Sequence, residues 1–235
     1  MTARATERPR SGSRQAAGPA PSFPGGAILD PMPAPETNLW RAVVARNPEH
    51  SHNFAQRWRT MAVQGIDIDG EARLIDAMAE RGSRILDAGC GTGRTGGRLA
   101  AAGHRVVGID LDEHLISVAR EEHPGARWEV GDLAEMDLRD EEGDRLLFDL
   151  VVCAGNVVTF LAGSERVPSL RAMAEHMAPG ARAVIGFQTA RGYSPAEFAA
   201  DAEAAGLRIS QRFAGWHLEE WAEGGDSLLA VLLGA

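Results

Sequence analysis

The stretch ILDAGCGTGR, residues 85–94, places three glycines directly behind a short apolar run. An apolar run that ends in a glycine-rich turn and continues into a helix is typical of a buried strand in an α/β sheet, where ligands bind at the carboxyl ends of the strands. Glycine tolerates the positive φ of a sharp strand-to-helix turn, and its lack of a side chain leaves room for a ligand against the backbone. The stretch therefore predicts a ligand-binding loop at the edge of a parallel sheet.

The rest of the chain alternates strand-like and helix-like segments. The strand-like segments are RILDAG, RVVGID, ARWEVGD, FDLVVCAG, ARAVIGFQ, LRISQRFAGWHL and SLLAVLLGA, and the last two are expected to pair. The helix before the fifth strand is predicted over residues 164–180. Because parallel strands need crossover connections, the alternation predicts an α/β fold: a Rossmann-like, doubly wound, mostly parallel seven-stranded sheet with an antiparallel C-terminal strand and N-terminal helices.

Composition divides the chain in two. Residues 1–36 hold seven of the twelve prolines, mixed with Gly, Ser, Ala and Arg, and lack an apolar period, which predicts a disordered tail. From residue 37 onward, apolar residues recur at helical spacing before the first strand. We therefore predict one domain over residues 37–235, in which residues 37–82 form an N-terminal helical cover.

Charge and cysteine content restrict the expected partners. A formal net charge of -9 argues against a surface that neutralises phosphates, so nucleic acid is not expected. No apolar run approaches the roughly 20 residues of a membrane span, and the basic N-terminus lacks the apolar stretch of a signal peptide. Two cysteines give no disulfide framework, as in the reducing cytosol. We expect a cytoplasmic protein that acts on a small molecule, and no pattern indicates its oligomeric state.

Two kinds of ligand fit the glycine loop. Gly91-x-Gly93-x-x-Gly96 satisfies the dinucleotide-binding pattern, with Asp110 roughly 20 residues beyond the first strand. Asp87, however, stands directly before the loop, where a carboxylate would repel a pyrophosphate and attract an ammonium group. The amino-acid end of S-adenosylmethionine carries such a group. A nicotinamide-dependent oxidoreductase is the less favoured alternative, since the chain has one tyrosine and no lysine for a Tyr/Lys catalytic pair.

Four segments together resemble one protein family. They are ILDAGCGTGR, VVGID ending in Asp110, VGDL containing Asp132, and FDLVVCAGNVVTFL. In order and spacing they resemble the motifs of class I S-adenosylmethionine-dependent methyltransferases of the small-molecule type, over residues 85–235. The resemblance implies S-adenosylmethionine as the cofactor and transfer of its methyl group to a nitrogen or oxygen of a small molecule. A protein that binds S-adenosylmethionine without turnover is the alternative.

The resemblance also implies cofactor contacts. Asp87 and the glycine loop would surround the methionine part, Asp110 would take the ribose hydroxyls, and Asp132 would receive the adenine amino group. Leu133 is expected to pack on the adenine ring, and Arg57 of the cover is separately expected to face the cofactor carboxylate. The full expected set is Asp87, Ala88, Gly89, Cys90, Gly91, Gly93, Arg57, Asp110, Leu111, Gly131, Asp132, Leu133, Ala154 and Gly155.

The methyl acceptor is expected between the cover, at Phe54 and Trp58, and the loop after the fourth strand, residues 156–160. That loop carries Ala-Gly-Asn-Val where methyltransferases acting on DNA bases or glutamine side chains carry an Asn/Asp-Pro-Pro-aromatic run, so that class is disfavoured. His52, from the one close histidine pair, and Asn156 are the candidate catalytic residues. Methyl transfer does not require a metal, and no metal site is expected.

Overall fold

The structure is a computed structural model and describes residues 34–234. Within them, seven strands form one sheet: β1 (Arg84–Ala88), β2 (Arg105–Asp110), β3 (Arg127–Val130), β4 (Phe148–Cys153), β5 (Met177–Gln188), β6 (Leu207–Phe213) and β7 (Ser227–Gly234). The strand order is β3-β2-β1-β4-β5-β7-β6. β1 pairs in parallel with β2 and β4, and β7 runs antiparallel to β5 and β6. The predicted fold class is confirmed.

Helices connect and flank the strands. They are α1 (Leu39–Arg46), α2 (His50–Val63), α3 (Gly70–Met78), α4 (Arg94–Ala101), α5 (Glu113–Glu122), α6 (Val157–Phe160), α7 (Gly163–Glu175) and α8 (Pro195–Ala204). The first three precede β1 and are the predicted N-terminal helices. Of the predicted tail, residues 1–33 lie outside the described residues; the Pro35 carbonyl accepts a hydrogen bond from the Gly163 N–H at 2.9 Å.

The prediction of a helix over residues 164–180 is wrong at its C-terminal end, because α7 ends at Glu175 and β5 begins at Met177. His176, between them, is fully buried. Its Nδ1 donates to the Ala172 carbonyl at 2.7 Å, its Nε2 accepts from the Leu138 N–H at 2.9 Å, and its own carbonyl accepts from the Phe148 N–H at 2.8 Å. These contacts fix residue 176 at the point where the chain leaves α7 and enters β5.

Both faces of the sheet are buried, because side chains alternate in direction along a strand. In β4, Val151 and Cys153 pack in a cluster with residues of α7 and α8, whereas Leu150 and Val152 pack with residues of α3 and α4. The doubly wound arrangement aligns the carboxyl ends of β1 to β4 at one edge. Among the described residues, no helix combines the length and apolar character needed to cross a bilayer.

Candidate active site

A pocket lies at this edge and holds about 890 Å³ of space not filled by atoms, part of it open to solvent. Its floor and sides come from the ends of β1 to β4 and the residues that follow them, and its roof comes from the segment 38–58. The lining residues are Asn38, Trp40, Phe54, Trp58, Asp87, Gly89, Cys90, Thr92, Arg94, Thr95, Asp110, Leu111, Leu115, Gly131, Asp132, Leu133, Ala154, Gly155, Val157, Phe160 and Leu161.

Two carboxylates at the ends of adjacent strands are held by backbone N–H groups. Asp87, in β1, is buried and accepts a hydrogen bond from Gly96 N at 2.8 Å. Asp110, the last residue of β2, accepts from Gly91 N at 2.8 Å and from Asp112 N at 3.0 Å. Desolvation raises the pKa of Asp87 to about 7 and that of Asp110 to about 6, and the N–H donors oppose this rise. Both groups therefore favour a ligand that brings positive charge or hydrogen-bond donors.

A third carboxylate, Asp132, follows β3 and lies beside the first two because neighbouring parallel strands end at the same edge. It accepts from Ala134 N at 2.8 Å, which begins a short 3-10 turn. Its Oδ2 also accepts from Nη2 of Arg41, in α1, at 2.5 Å. The cover thus contacts the sheet edge directly at this acid.

The glycine loop is shaped by its protein neighbours as well as by its turns. Gly89, Gly91 and Gly93 all have positive φ, at 77°, 55° and 75°. A Cβ on Gly89 would lie 2.5 Å from both methyl groups of Val157, and a Cβ on Gly93 would lie 2.8 Å from the ring of Trp128. The expectation that these glycines make room for a ligand is therefore incomplete, since at residues 89 and 93 the space is taken by other side chains.

Most of the residues expected to contact a cofactor line the pocket. They are Asp87, Gly89, Cys90, Asp110, Leu111, Gly131, Asp132, Leu133, Ala154 and Gly155. Ala88, Gly91 and Gly93 are absent from the lining: Ala88 is buried in the core, and the Gly91 N–H is bonded to Asp110. The structure thus brings the predicted strand-end residues together.

Arg57 is also absent from the lining, contrary to its expected role. It is exposed, and its guanidinium lies 5.1 Å from the Phe54 ring centroid and 5.8 Å from that of Trp58. The inward stripe of α2 contains Ser51 and Ala55, one turn apart, and Arg57 lies off this stripe. Arg57 thus contacts two pocket-lining rings without being part of the lining itself.

The arginine in the pocket lining is Arg94, the first residue of α4. Its guanidinium binds the Glu71 carboxylate through two N–H groups, at 2.7 and 2.8 Å, and also contacts the Ile68 carbonyl. The same guanidinium lies 4.3 Å from the Trp58 ring centroid. Arg94 stands directly after the glycine loop, at the start of a helix in the predicted ligand site. This position could have identified it as a pocket residue, but Arg94 was not in the predicted set.

The structure does not bring the two candidate catalytic residues into the pocket lining. His52 is exposed on α2, with its ring centroid 3.7 Å from that of His114 on α5. Asn156 has a left-handed φ of 70°, and its Oδ1 accepts from Gln188 N at 2.7 Å, which joins the loop after β4 to the end of β5. Val157, the next residue, does line the pocket. The contact between Asn156 and Gln188 therefore helps to position the neighbouring residues Gly155 and Val157, which line the pocket.

Aromatic rings form the roof opposite the sheet edge. The centroid of Trp40 lies 5.2 Å from Phe54 and 5.7 Å from Phe160, with ring planes at 87° and 85° in edge-to-face contacts. Asn38 caps α1 with its Oδ1 and donates from Nδ2 to Glu165 at 2.9 Å. Phe54 and Trp58 are the residues predicted from the sequence for this region, whereas Trp40 and Asn38 are additional. An asparagine directly before an apolar helical run is an N-cap signal that could have located the start of α1.

Comparisons with known proteins match this architecture. A family described as "Methyltransferase domain" matches residues 85–180. Malonyl-[acyl-carrier protein] O-methyltransferase of Pectobacterium atrosepticum is 36% identical over 83 residues, which cover 35% of this chain and 33% of that protein. The dTDP-4-amino-2,3,4,6-tetradeoxy-D-glucose N,N-dimethyltransferase of Saccharopolyspora spinosa is 25% identical over 144 residues, 59% of this chain and 54% of that one. The chain thus spans about a third of the length of the first of these curated relatives and about half of the length of the second.

A solved structure is more similar. The TehB-like S-adenosylmethionine-dependent methyltransferase of Corynebacterium glutamicum is 48% identical, with a TM-score of 0.76; the match covers 80% of this chain and 100% of that one. Identity at this level, over the entire length of the relative, identifies the family as well as the fold. This chain belongs to the class I S-adenosylmethionine-dependent methyltransferases.

Proposed function

We propose that this protein transfers the methyl group of S-adenosylmethionine to a nitrogen or oxygen atom of a small molecule. The observation that carries the proposal is the composition of the pocket. Carboxylates at the ends of β1, β2 and β3 line one part, and aromatic rings of α1, α2 and α6 cover another. Such a pocket can hold a polar, cationic cofactor and a second molecule beside it.

The hydrogen-bonding groups of the sheet edge fit this cofactor. Each oxygen of Asp110 accepts one backbone N–H, and since a carboxylate has about four lone-pair sites, it can still accept from two ribose hydroxyls. Asp132 would accept from the adenine amino group, with Leu133 packed on the ring. Asp87 would pair with the ammonium group. Arg94, fixed by Glu71, would face the cofactor carboxylate in place of Arg57.

The bound cofactor supplies a methyl group on an electrophilic sulfonium. The protein must then hold an acceptor atom in line with that group and exclude water, and such orientation alone can contribute several kcal/mol. Trp40, Phe54 and Phe160 would exclude water above the reacting atoms. The loop 155–157, held by the contact between Asn156 and Gln188, would form the acceptor wall. The similar proteins include an O-methyltransferase and an N,N-dimethyltransferase, so the proposal keeps both kinds of acceptor atom.

A direct assay tests the proposal. The purified chain is incubated with S-adenosylmethionine and a panel of small amines, hydroxyl compounds and carboxylic acids. S-adenosylhomocysteine formation that depends on one acceptor class, with a product that carries one more methyl group in place of a proton, supports it. Calorimetric binding of S-adenosylmethionine without turnover on any acceptor would favour a binding-only protein. Failure to bind the cofactor would reject the proposal.

A further inference from the structure

The buried carboxylate of Asp112 joins the cover to the sheet edge. Its Oδ2 accepts from the indole Nε1 of Trp40, in α1, at 2.8 Å, and from the hydroxyl of Ser51, in α2. Its Oδ1 accepts from Leu115 N at 3.1 Å and so caps α5. One side chain therefore contacts three helices.

The backbone of Asp112 continues this connection to the pocket. Its N–H donates to Oδ1 of Asp110 at 3.0 Å, and Oδ2 of Asp110 accepts from Gly91 N in the glycine loop. A continuous series of hydrogen bonds thus runs from α1 and α2 through residue 112 to the carboxylate at the end of β2. That carboxylate is the one proposed above to hold the cofactor ribose.

Helix capping alone does not account for Asp112. The cap uses Oδ1 only, and serine, threonine or asparagine would serve equally well in that role. The second oxygen receives two donors from outside α5, both of them on the cover. A buried carboxylate is costly unless donors compensate it, so the cover helices stabilise the residue as much as it stabilises them.

We propose that Asp112 is a positioning residue that couples cofactor binding at Asp110 to closure of α1 and α2 over the pocket. The inference rests on the proposed role of Asp110. A ribose held by Asp110 would fix the segment 110–112 and so stabilise the contacts that the Asp112 carboxylate makes with Trp40 and Ser51. Because coupling between two sites is reciprocal, closure of the cover also holds Asp110 in position for the ribose.

The substitution Asp112→Asn tests the coupling while keeping the cap. Asparagine retains the oxygen that accepts from Leu115 N, and it replaces the oxygen facing Trp40 and Ser51 with an NH2 group. We expect affinity for S-adenosylhomocysteine, measured by calorimetry, to fall about fivefold. In hydrogen exchange, the ligand should still protect residues 89–93 of the variant but should no longer protect residues 39–63 as it does in the wild type.

The substitution Ser51→Ala tests the same contact from the other side. Ser51 is buried and absent from the pocket lining, so its removal reaches the cofactor only through Asp112. We expect about a threefold loss of affinity, and a smaller loss when Asp112 is already Asn. Ser117→Ala is the matched control: that hydroxyl is exposed on α5 and donates only to the His114 carbonyl, so affinity should be unchanged.

The outcomes separate the coupling from the proposed function. If both variants bind the ligand as the wild type does, and residues 39–63 still gain protection, the coupling is wrong. If Asp112→Asn fails to fold, Ser51→Ala alone decides between these results. Loss of binding in Asp110→Ala together with wild-type binding in Asp112→Asn would overturn the coupling and leave the proposed cofactor site intact, whereas unchanged binding in Asp110→Ala would overturn the cofactor site itself.

Discussion

The pocket has two walls that are built differently. The sheet wall consists of the strand-end residues of β1 to β3, where backbone N–H groups fix Asp87 and Asp110 and the strand register fixes the backbone. The cover wall consists of the pocket-lining residues of α1 and α2 with the Asn38 cap. It is attached to the rest of the domain through side chains, including those of Trp40 and Arg41.

This difference has a consequence for stability. Sheet hydrogen bonds form and break together with the core, so the sheet wall opens only in large unfolding events. The Arg41–Asp132 pair is weaker, because the Arg41 side chain is 55% exposed and such pairs contribute at most about 1 kcal/mol. Local opening of the cover wall would break side-chain contacts, including the buried one between Trp40 and Asp112, but no hydrogen bond of the sheet.

The largest effect is expected on the sheet wall, from Asp110→Ala. This change removes two charge-assisted hydrogen bonds to the ribose and also releases the N–H groups of Gly91 and Asp112. We expect S-adenosylmethionine binding to weaken about 100-fold, as measured by calorimetry. Asp149→Ala is the matched control, since Asp149 pairs with Arg84 at the opposite end of the strands and should leave affinity unchanged. Equal affinity in both variants would contradict a ribose site at Asp110.

A second large effect concerns pH and Asp87. Its folded pKa of about 7 lies above the ordinary 3.8, so the folded state binds the extra proton between these values. The stability contributed by this proton is fully present below pH 4 and is lost as pH rises through 7. Without cofactor, the wild type should therefore gain stability from pH 8 to pH 5, by a few kcal/mol at most. In urea unfolding, Asp87→Asn should show a smaller gain, because Asp110, whose pKa is raised to about 6, keeps its own contribution.

Cofactor binding should show the opposite dependence. The proposed pairing with the cofactor ammonium needs ionised Asp87, so affinity should fall as pH drops from 8 to 6. Asp87→Asn should bind about tenfold more weakly than the wild type at pH 8 and lose most of this pH dependence. An affinity independent of pH in the wild type would show that Asp87 does not face the ammonium.

The same two walls explain which parts of the site the sequence predicts. Asp87, Asp110 and Asp132 each follow a short apolar run, and the rule that parallel strands end at one edge brings them together without further information. No such local rule fixes how a cover helix is rotated about its axis. Helical spacing predicted α2 and its pocket-lining residues Phe54 and Trp58, but it did not show that Arg57 and His52 lie outside the lining. Long-range contacts such as that between Ser51 and Asp112 set the rotation of the helix.

Gly93, in the glycine loop, also shows what the sequence alone cannot predict. Its sequence context indicates a ligand loop, and its positive φ agrees with the predicted turn. The reason that no side chain fits is the ring of Trp128, which follows β2 and α5 in the chain and packs against the loop only in the folded domain. A pattern of glycines predicts the turn, while the neighbour that excludes a Cβ is set by tertiary packing.

An intermediate effect should distinguish two arginines near Trp58, where the walls meet. Arg94→Gln removes the cation that lines the pocket and leaves Glu71 without its partner, so we expect about a tenfold loss of S-adenosylmethionine affinity. Arg57→Gln is the matched control, since that exposed guanidinium only contacts the Phe54 and Trp58 rings, and its effect should stay below about twofold. A larger loss in the Arg57 variant would restore the role predicted from the sequence.

The smallest effect is expected from His52→Ala, on the outer surface of the cover wall. The imidazole is exposed and contacts His114 instead of the pocket, so its loss should change stability by less than about 0.5 kcal/mol. Turnover on an identified acceptor should change less than about twofold, with the same dependence on pH. His114→Ala, which removes the other ring of the pair, should behave in the same way. If His52→Ala instead abolished turnover while His114→Ala retained it, the imidazole of His52 would be acting as a base. α2 would then have to shift or turn enough to bring His52 from the outer surface into the pocket, a larger rearrangement than the loss of the side-chain contacts of the cover wall.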